Sequence, residues 1–302
     1  MVGARTLPVS TAGRASGVVL AVASMTTIQL GAALSKPLFD RVGPAGLVAL
    51  RLLFAALILW SCVRPRVRGR KRPDIAAAVA LGACSGVVTL AFFAAIARIP
   101  LGVAVTIEFL GPLSVALAGS RRARDVALVL LAGSGVALLT LGKGAGEPLD
   151  AVGVALAGVA AVCWAGYILL TKRVGARWAG FDGLSVSFGV AALVTLPIGI
   201  ASDGSDLLDP VVLLGGAGLA LGMTVVPFAF ELVALRRLPT ALFGVIVSVE
   251  PAIAALLGFL ILGQRLAPSG VVAIAMVVLA SVAATLVREA GPSPPDEPYH
   301  GG

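Results

Sequence analysis

The chain has 302 residues, of which 59% are hydrophobic and 13% charged, and its formal net charge is +8. Its mean hydropathy is +1.04, whereas ordinary soluble domains carry about 25% charged residues. Too few polar side chains are present to cover the apolar ones in water, so this composition excludes a water-soluble globular domain. We therefore predict a membrane protein.

Apolar stretches recur along the chain in blocks of roughly 18 to 24 residues, about the length that a helix needs to cross a ~30 Å hydrocarbon core. Unbroken runs such as 126–141 lack the alternation of β-barrel strands, so we predict an all-α membrane protein. The first stretch is too long for a signal peptide, and we interpret it as a retained span. The ten predicted transmembrane helices are 16–38, 44–63, 75–97, 100–119, 125–142, 151–171, 181–201, 211–233, 239–262 and 267–287.

Basic residues outside these spans concentrate on alternate loops. If the N-terminus is cytoplasmic, 17 of the 23 Lys and Arg residues lie on the cytoplasmic side and five on the other, with Arg51 inside a span. The positive-inside rule predicts this asymmetry for a protein whose N- and C-termini are both cytoplasmic. A basic face beside anionic lipid accounts for the net charge, so we expect the lipid bilayer and not nucleic acid as its partner.

The two halves of the chain resemble each other. When the second half is aligned with the first, Gly17 pairs with Gly153, and a slightly larger offset pairs Pro112 with Pro251. Each half contains five spans, an odd number, so the second half must enter the membrane from the opposite side. We predict two five-helix inverted repeats, at 16–142 and 151–287, flanked by a cytoplasmic segment 1–15 and a disordered cytoplasmic tail 288–302.

Few charged side chains lie inside the spans, where each costs roughly 2.5–3.5 kcal/mol or more at the bilayer centre. Arg51 and Glu108 each lie seven or eight residues into a span that begins on the outer side, which corresponds to a depth of ~12 Å. An ion pair could form between them if their helices are neighbours. We hypothesise that both face a cavity, and the alternative is a buried pair that only fixes helix packing.

Two proline dipeptides occupy equivalent places in the fourth and ninth spans. Gly111 precedes Pro112, and Glu250 precedes Pro251. A proline inside a helix lacks an N–H and disturbs the carbonyl four residues earlier, so both spans should open near mid-membrane. Irregular backbone is tolerated there where protein or cavity water satisfies it. Both dipeptides are therefore candidate markers of a binding site, with a simple kink as the alternative.

The sequence contains no nucleophile elbow, helical zinc motif or phosphate-binding loop, so we expect neither an enzyme nor a cofactor. The cysteines Cys62, Cys84 and Cys163 lie inside spans without the spacing of metal ligands, and we interpret them as packing residues. Lys36 and Glu231 lie near span ends, where long charged side chains can reach the interface. From position alone, we interpret these two residues as interface anchors.

A resemblance to a known family extends over nearly all of residues 17–287. The chain resembles the threonine and homoserine exporters, EamA-type members of the drug/metabolite transporter superfamily. The strongest match is the segment Arg98-Ile99-Pro100-Leu101-Gly102-Val103-Ala104-Val105, continuing through Glu108-Phe109 and Gly111-Pro112-Leu113 to Ser120-Arg121-Arg122. Further matches are Ile28-Gln29, Lys36, Ala49-Leu50-Arg51-Leu52, Cys163-Trp164-Ala165, Leu238-Pro239-Thr240 and Glu250-Pro251-Ala252.

The resemblance implies ten helices, an inner-membrane location and proton-driven efflux of small amino acids. The chain departs from the family at Gly263-Gln264, where the family often has Gly-Glu, and this difference leaves the substrate open. The candidate substrate-binding or coupling residues are Gln29, Lys36, Arg51, Glu108, Gly111, Pro112, Glu250 and Pro251.

We hypothesise that Arg51 attracts the carboxylate of a zwitterionic amino acid while Glu108 or Glu250 attracts its ammonium group. One of the carboxylates would take up a proton, since burial favours the neutral form of an acid. A permease for a broader range of drugs or metabolites is the alternative within transport, and a scaffold without transport is the alternative outside it. A homodimer is left open.

Overall fold

The computed structural model describes residues 11–118, 123–141, 148–178 and 180–289. Most of the predicted N-terminal segment 1–15 and most of the predicted tail 288–302 lie outside these residues. All the regular structure in the described part is helical, which confirms the all-α prediction. The helices are α1 Thr11–Ser35, α2 Pro44–Val63, α3 Arg72–Ile96, α4 Leu101–Glu108, α5 Leu110–Leu117, α6 Ala123–Thr140, α7 Ala151–Gly175, α8 Asp182–Asp203, α9 Pro210–Ala220, α10 Val226–Arg237, α11 Thr240–Val247, α12 Glu250–Leu262 and α13 Pro268–Glu289.

Nine helical segments of the described chain are long and apolar enough to cross a membrane. They correspond to nine of the ten spans expected from the sequence. The remaining expected span, 100–119, corresponds to the shorter apolar stretch Leu101–Leu117, which contains α4 and α5. Large apolar side chains cover the outside of the bundle: Leu130, Val162, Leu193, Leu214 and Leu260 are between 64% and 74% exposed. Such a surface suits lipid contact and not water.

Two of these segments are broken where the sequence places the proline dipeptides. Helix α4 ends at Glu108 and α5 follows after one residue, whereas α11 ends at Val247 and α12 begins at Glu250. Pro112 and Pro251 have no N–H to donate to the carbonyls of Glu108 and Val247, so the helical hydrogen bonding stops at these residues. The predicted opening of both helices is confirmed.

A third irregularity is not expected from the sequence. Helices α9 and α10 are joined by a π-helical turn, Leu221–Val225, within a span that hydropathy predicts to be continuous. Pro227 cannot donate to the carbonyl of Met223, so the α-helical pattern cannot continue through this turn. Single π-helical turns are rare and occur frequently at functional sites.

Helices from the two halves of the chain pack against each other, with α2 on α8, α3 on α7 and α1 on α10. Small residues allow such close approaches, and a Cβ atom at Gly82 of α3 would collide with the carbonyl oxygen of Ser187 on α8. Helix α8 also forms interhelical hydrogen bonds. The indole Nε1 of Trp60 donates to the carbonyl of Ser185 at 2.7 Å, and the Ser187 hydroxyl donates to the carbonyl of Ala78 at 2.9 Å.

We expect Gly111→Ala to lower the melting temperature of the purified protein in detergent. A Cβ atom at this position would collide with the carbonyl oxygen of Ala161 on α7, and overpacking of this kind costs about 1–3 kcal/mol. Gly158→Ala on α7 is the matched control, because nothing lies within 4 Å of its added Cβ atom and alanine is the better helix former. Equal melting temperatures for the two variants would contradict the close packing of α5 on α7.

Candidate functional site

A cavity of about 520 Å³ lies inside the bundle, within the usual range for small-molecule sites. Helices from both halves line it, and the broken helices contribute the residues at their breaks. Most of the lining is apolar or aromatic. The polar residues are Gln29, Arg51, Ser85, Thr89, Glu108, Tyr167, Thr224, Glu231 and Glu250.

Arg51, on α2, is partly buried, and its guanidinium has weak partners. One terminal nitrogen lies 3.5 Å from both the carbonyl oxygen of Met223 and the Oγ1 of Thr224, distances at the limit for a hydrogen bond. The guanidinium also lies 5.5 Å from the centre of the Phe93 ring. Its Nε is buried and has no hydrogen-bond partner among the described residues. A cation with unused donors can bind an anionic ligand group in the cavity.

The carbonyl of Met223 is available to Arg51 because of the local sequence. Pro227 leaves this carbonyl without its α-helical donor, and the π-helical turn presents Met223 and Thr224 in the cavity lining. The sequence contains a signal for this arrangement, since Pro227 lies inside a predicted span. The signal is not specific, because proline is common in membrane helices.

Two of the cavity carboxylates lie at the helix breaks. Glu108 is the last residue of α4 and Glu250 the first of α12, and they are 8% and 7% exposed. The amide Nε2 of Gln29 donates to Glu250 at 2.8 Å and holds this carboxylate from the α1 side. The two carboxylates are close enough to interact electrostatically, and so are Glu108 and Arg51.

Glu231 is a third carboxylate in the cavity, and position in the sequence alone does not reveal it. The hydroxyl of Ser24 on α1 donates to Glu231 at 2.9 Å, and Glu231 is part of the lining. The interpretation of Glu231 as an interface anchor is therefore wrong. It rests on the place of this residue near the end of a predicted span. An acidic residue within an apolar stretch that also contains Pro227 is the available signal.

The structure brings five of the eight candidate site residues into the cavity lining: Gln29, Arg51, Glu108, Pro112 and Glu250. The other three lie elsewhere. Gly111 and Pro251 are buried behind the breaks, and Lys36 begins a 3₁₀ turn, Lys36–Asp40, that follows α1. Arg51 and Glu108 share the cavity without a direct contact, since no ion pair within 4 Å joins these two described residues. Within the described chain, no group of three or more His, Cys, Asp or Glu residues could hold a metal ion.

Comparison with known proteins gives a consistent result. The model of the EamA-like transporter family matches residues 151–286. The threonine/homoserine exporter RhtA of Escherichia coli (strain K12) is 40% identical over 271 residues, which cover 89% of this chain and 91% of that protein. RhtA of Salmonella typhimurium (strain LT2) is 40% identical over 265 residues, covering 87% and 89% of the two chains.

A solved crystal structure has a similar fold, with a TM-score of 0.58 and 21% identity, covering 90% of this chain and 98% of that one. At this identity, the likeness concerns the fold alone. The sequence relatives confirm the family resemblance noted from the sequence.

We expect the cavity to contain water, and cysteine labelling tests this directly. In a background whose three native cysteines are replaced by alanine, Ser85→Cys should react with a charged thiol reagent, because the reactive thiolate forms in water. Ser85 lines the cavity, whereas Val87 on the same helix is 38% exposed on the outside of the bundle. Val87→Cys, facing lipid, should react at least several-fold more slowly. Equal labelling of the two variants in membrane vesicles would contradict a hydrated cavity.

Proposed function

Because this chain belongs to the EamA-like transporter family and is a multi-pass protein of the cell membrane, we propose that it exports small amino acids such as threonine and homoserine. The proposed mechanism is alternating access, with protons as the coupling ion. Family membership indicates a transporter and not an enzyme. The substrate class follows from relatives that are named threonine/homoserine exporters. The observation that carries the proposal is that Arg51, whose Nε has no hydrogen-bond partner among the described residues, shares its cavity with buried carboxylates.

The charged groups of the cavity match those of a free amino acid. The guanidinium of Arg51 can form charge-assisted hydrogen bonds with the substrate carboxylate, which replaces the weak contacts at 3.5 Å. The ammonium group then binds Glu108 or Glu250 at the helix breaks. The zwitterion has no net charge, so its binding leaves the charge of the cavity unchanged while giving Arg51 and one carboxylate a partner.

The number of carboxylates supports proton coupling. Glu108, Glu231 and Glu250 line the cavity with Arg51 as the one basic residue of the described lining. If all four were ionised, the cavity would hold excess negative charge, which is costly inside the membrane. Uptake of a proton by one of the carboxylates removes part of this excess. Exchange of that proton across the membrane would couple export to the proton gradient.

Contacts at equivalent positions support the inverted repeat. Arg98, which follows α3, donates to Asp150 before α7 at 3.1 Å, and Arg237 at the end of α10 donates to Ser16 of α1 at 2.7 Å. The alignment that pairs Pro112 with Pro251 also pairs Arg98 with Arg237. Asp150 accepts further hydrogen bonds from the first N–H groups of α7, and these bonds, with Arg98, hold the pKa of its carboxyl below the ordinary value.

Two glycines, Gly17 and Gly153, pack against these arginines in the same way. A Cβ atom at Gly153 would contact Ile99 and the side chain of Arg98, and a Cβ atom at Gly17 would contact Leu238 and Arg237. Gly17 and Gly153 are themselves paired when the two halves are aligned. The first span of each half therefore has a glycine near its start that packs against the other half. Gly17 packs against the residues that precede the ninth span, and Gly153 against those that precede the fourth. Such reciprocal contacts are expected of two halves related by a two-fold axis.

The two broken spans are in contact with each other at one end and separated at the other end. Helices α4 and α12 are in close contact, with a Cβ atom at Gly102 only 2.7 Å from the Cα of Ala255. Gln264 accepts a hydrogen bond from the N–H of Leu101 at 3.0 Å, so the amide that departs from the family pattern satisfies the start of α4. At the other end, a crevice of about 190 Å³ separates α5 from α11.

Under the proposed inverted repeat, the α4–α12 and α5–α11 contacts are equivalent. One closed and one open contact are what alternating access requires of a single state. With cytoplasmic termini, the open end faces the cytoplasm, from which an exported substrate would enter.

A permease for a broader range of drugs or metabolites is the second candidate, favoured by the aromatic lining of Trp164, Phe188 and Phe228.

Counterflow in proteoliposomes tests the proposed substrate class. We expect labelled threonine to exchange with threonine and homoserine and not with a panel of unrelated drugs or metabolites. Arg51→Gln should reduce this exchange roughly 10- to 100-fold, as expected for loss of a hydrogen-bonded charged partner. Arg41→Gln is the control, because Arg41 forms an exposed ion pair with Asp209. Absence of exchange for every amino acid tested would remove the proposal.

Proton coupling has a separate test in everted membrane vesicles, where export appears as uptake. An acidic vesicle interior should stimulate threonine uptake, because outward proton flow would drive the exchange. Among Glu108→Gln, Glu231→Gln and Glu250→Gln, the variant that loses the proton carrier should lose this stimulation and keep threonine counterflow, which needs no net proton movement. Stimulation retained by all three variants would contradict a proton site at these carboxylates.

A further inference from the structure

The crevice between α5 and α11 adjoins the main cavity. It has a volume of about 190 Å³, and α13 forms its third wall. Pro112, Phe243 and Val247 line both the crevice and the main cavity, so the two spaces are neighbours. The other apolar residues of the crevice include Phe109, Leu113 and Ala116.

One hydroxyl in this crevice lacks a partner. Ser281 of α13 is 5% exposed, and its Oγ is buried without a hydrogen-bond partner in the described chain. The other two hydroxyls of the crevice are satisfied within their own helical segments: Ser248 donates to the carbonyl of Gly244 at 2.8 Å, and Thr285 donates to the carbonyl of Ser281 at 2.9 Å. Buried polar groups are nearly always hydrogen-bonded, so an unpaired one in a recess indicates a missing partner.

The helix breaks link this hydroxyl to the charged residues. Glu108 is followed at once by Phe109 of the crevice, and Val247 and Ser248 of the crevice shortly precede Glu250. A substrate whose ammonium group binds these carboxylates therefore has the entrance of the crevice beside it. Its side chain can extend between α5 and α11, toward α13.

We propose that the crevice receives the side chain of a hydroxy amino acid and that Ser281 hydrogen-bonds the substrate hydroxyl. The inference rests on the proposed function and adds to it the residue that determines side-chain specificity. A serine hydroxyl can both donate and accept, so it can pair with a substrate hydroxyl in either direction. The apolar walls surround the carbon atoms of the same side chain.

Comparison of threonine with valine isolates this contact. Valine has nearly the shape of threonine, with a methyl group in place of the hydroxyl. Valine binding would leave Ser281 buried without a partner, and sites built to hydrogen-bond a hydroxyl discriminate against analogues that lack it. In the wild-type protein, we expect unlabelled threonine to compete for labelled threonine counterflow at a lower concentration than valine.

The test measures the ratio of the two competing concentrations in three variants. Ser281→Ala should reduce the preference for threonine over valine about three- to tenfold, the value of one hydrogen bond. Ser35→Ala on α1 is the matched control, because this buried serine lies in neither cavity, its hydroxyl donates to the carbonyl of Ala32, and its loss should leave the ratio unchanged. Ser281→Thr keeps a hydroxyl and should keep the preference for threonine. Its ratio tests the role of the hydroxyl even if the alanine variant folds poorly.

The possible results separate this inference from the proposed function. Absence of amino-acid exchange by the wild-type protein would overturn the proposed function and the inference with it. Normal threonine exchange with an unchanged ratio in Ser281→Ala would overturn the role of Ser281 alone. An equal fall in the ratio for Ser281→Ala and Ser35→Ala would also overturn it, because the effect would then reflect a general disturbance of the helix bundle.

Discussion

A partly buried arginine with weak partners is the constraint on which the rest of the site depends. Arg51 lies inside an apolar bundle, where an unpaired charge is costly. Its contacts are the face of the Phe93 ring and two groups at 3.5 Å, and its Nε has no hydrogen-bond partner among the described residues. Buried carboxylates in the same cavity provide electrostatic compensation without direct pairing. The charges of this cavity partly balance each other, but Arg51 does not bond directly to a carboxylate. Such a cavity is suited to a ligand that carries both a positive and a negative group.

Proline creates this cavity at the level of the backbone. Pro112 and Pro251 interrupt two helices so that Glu108 and Glu250 lie at the breaks, and Pro227 accompanies the π-helical turn whose Met223 carbonyl lies near Arg51. Each interruption leaves a backbone group that must be satisfied away from lipid. The bundle places all three interruptions around one internal space, where side chains, water and substrate can provide the missing partners. Local sequence thus positions the polar groups, and helix packing brings them together.

The features that can be predicted from the sequence are those that depend on composition and on single residues. Hydropathy predicts the spans, and the missing N–H of proline predicts both breaks. The position of Arg51 in its helix indicates its depth but not the direction of its side chain, so a direct pair with Glu108 cannot be judged from sequence. The sequence does not predict the places of Glu231 and Ser281, because both depend on neighbours that are distant in the chain. Glu231 accepts a hydrogen bond from Ser24, and Ser281 lines the α5–α11 crevice.

Binding of substrate analogues to the purified protein tests the central claim most directly, because each analogue removes one charge of the zwitterion. N-acetylthreonine lacks the ammonium group, and threoninol lacks the carboxylate. If Arg51 and the cavity carboxylates bind the two charged groups, threonine should bind at least tenfold more tightly than either analogue, and Arg51→Gln should reduce its advantage over threoninol selectively. Binding of both analogues as tight as that of threonine would contradict recognition of a zwitterion by these residues.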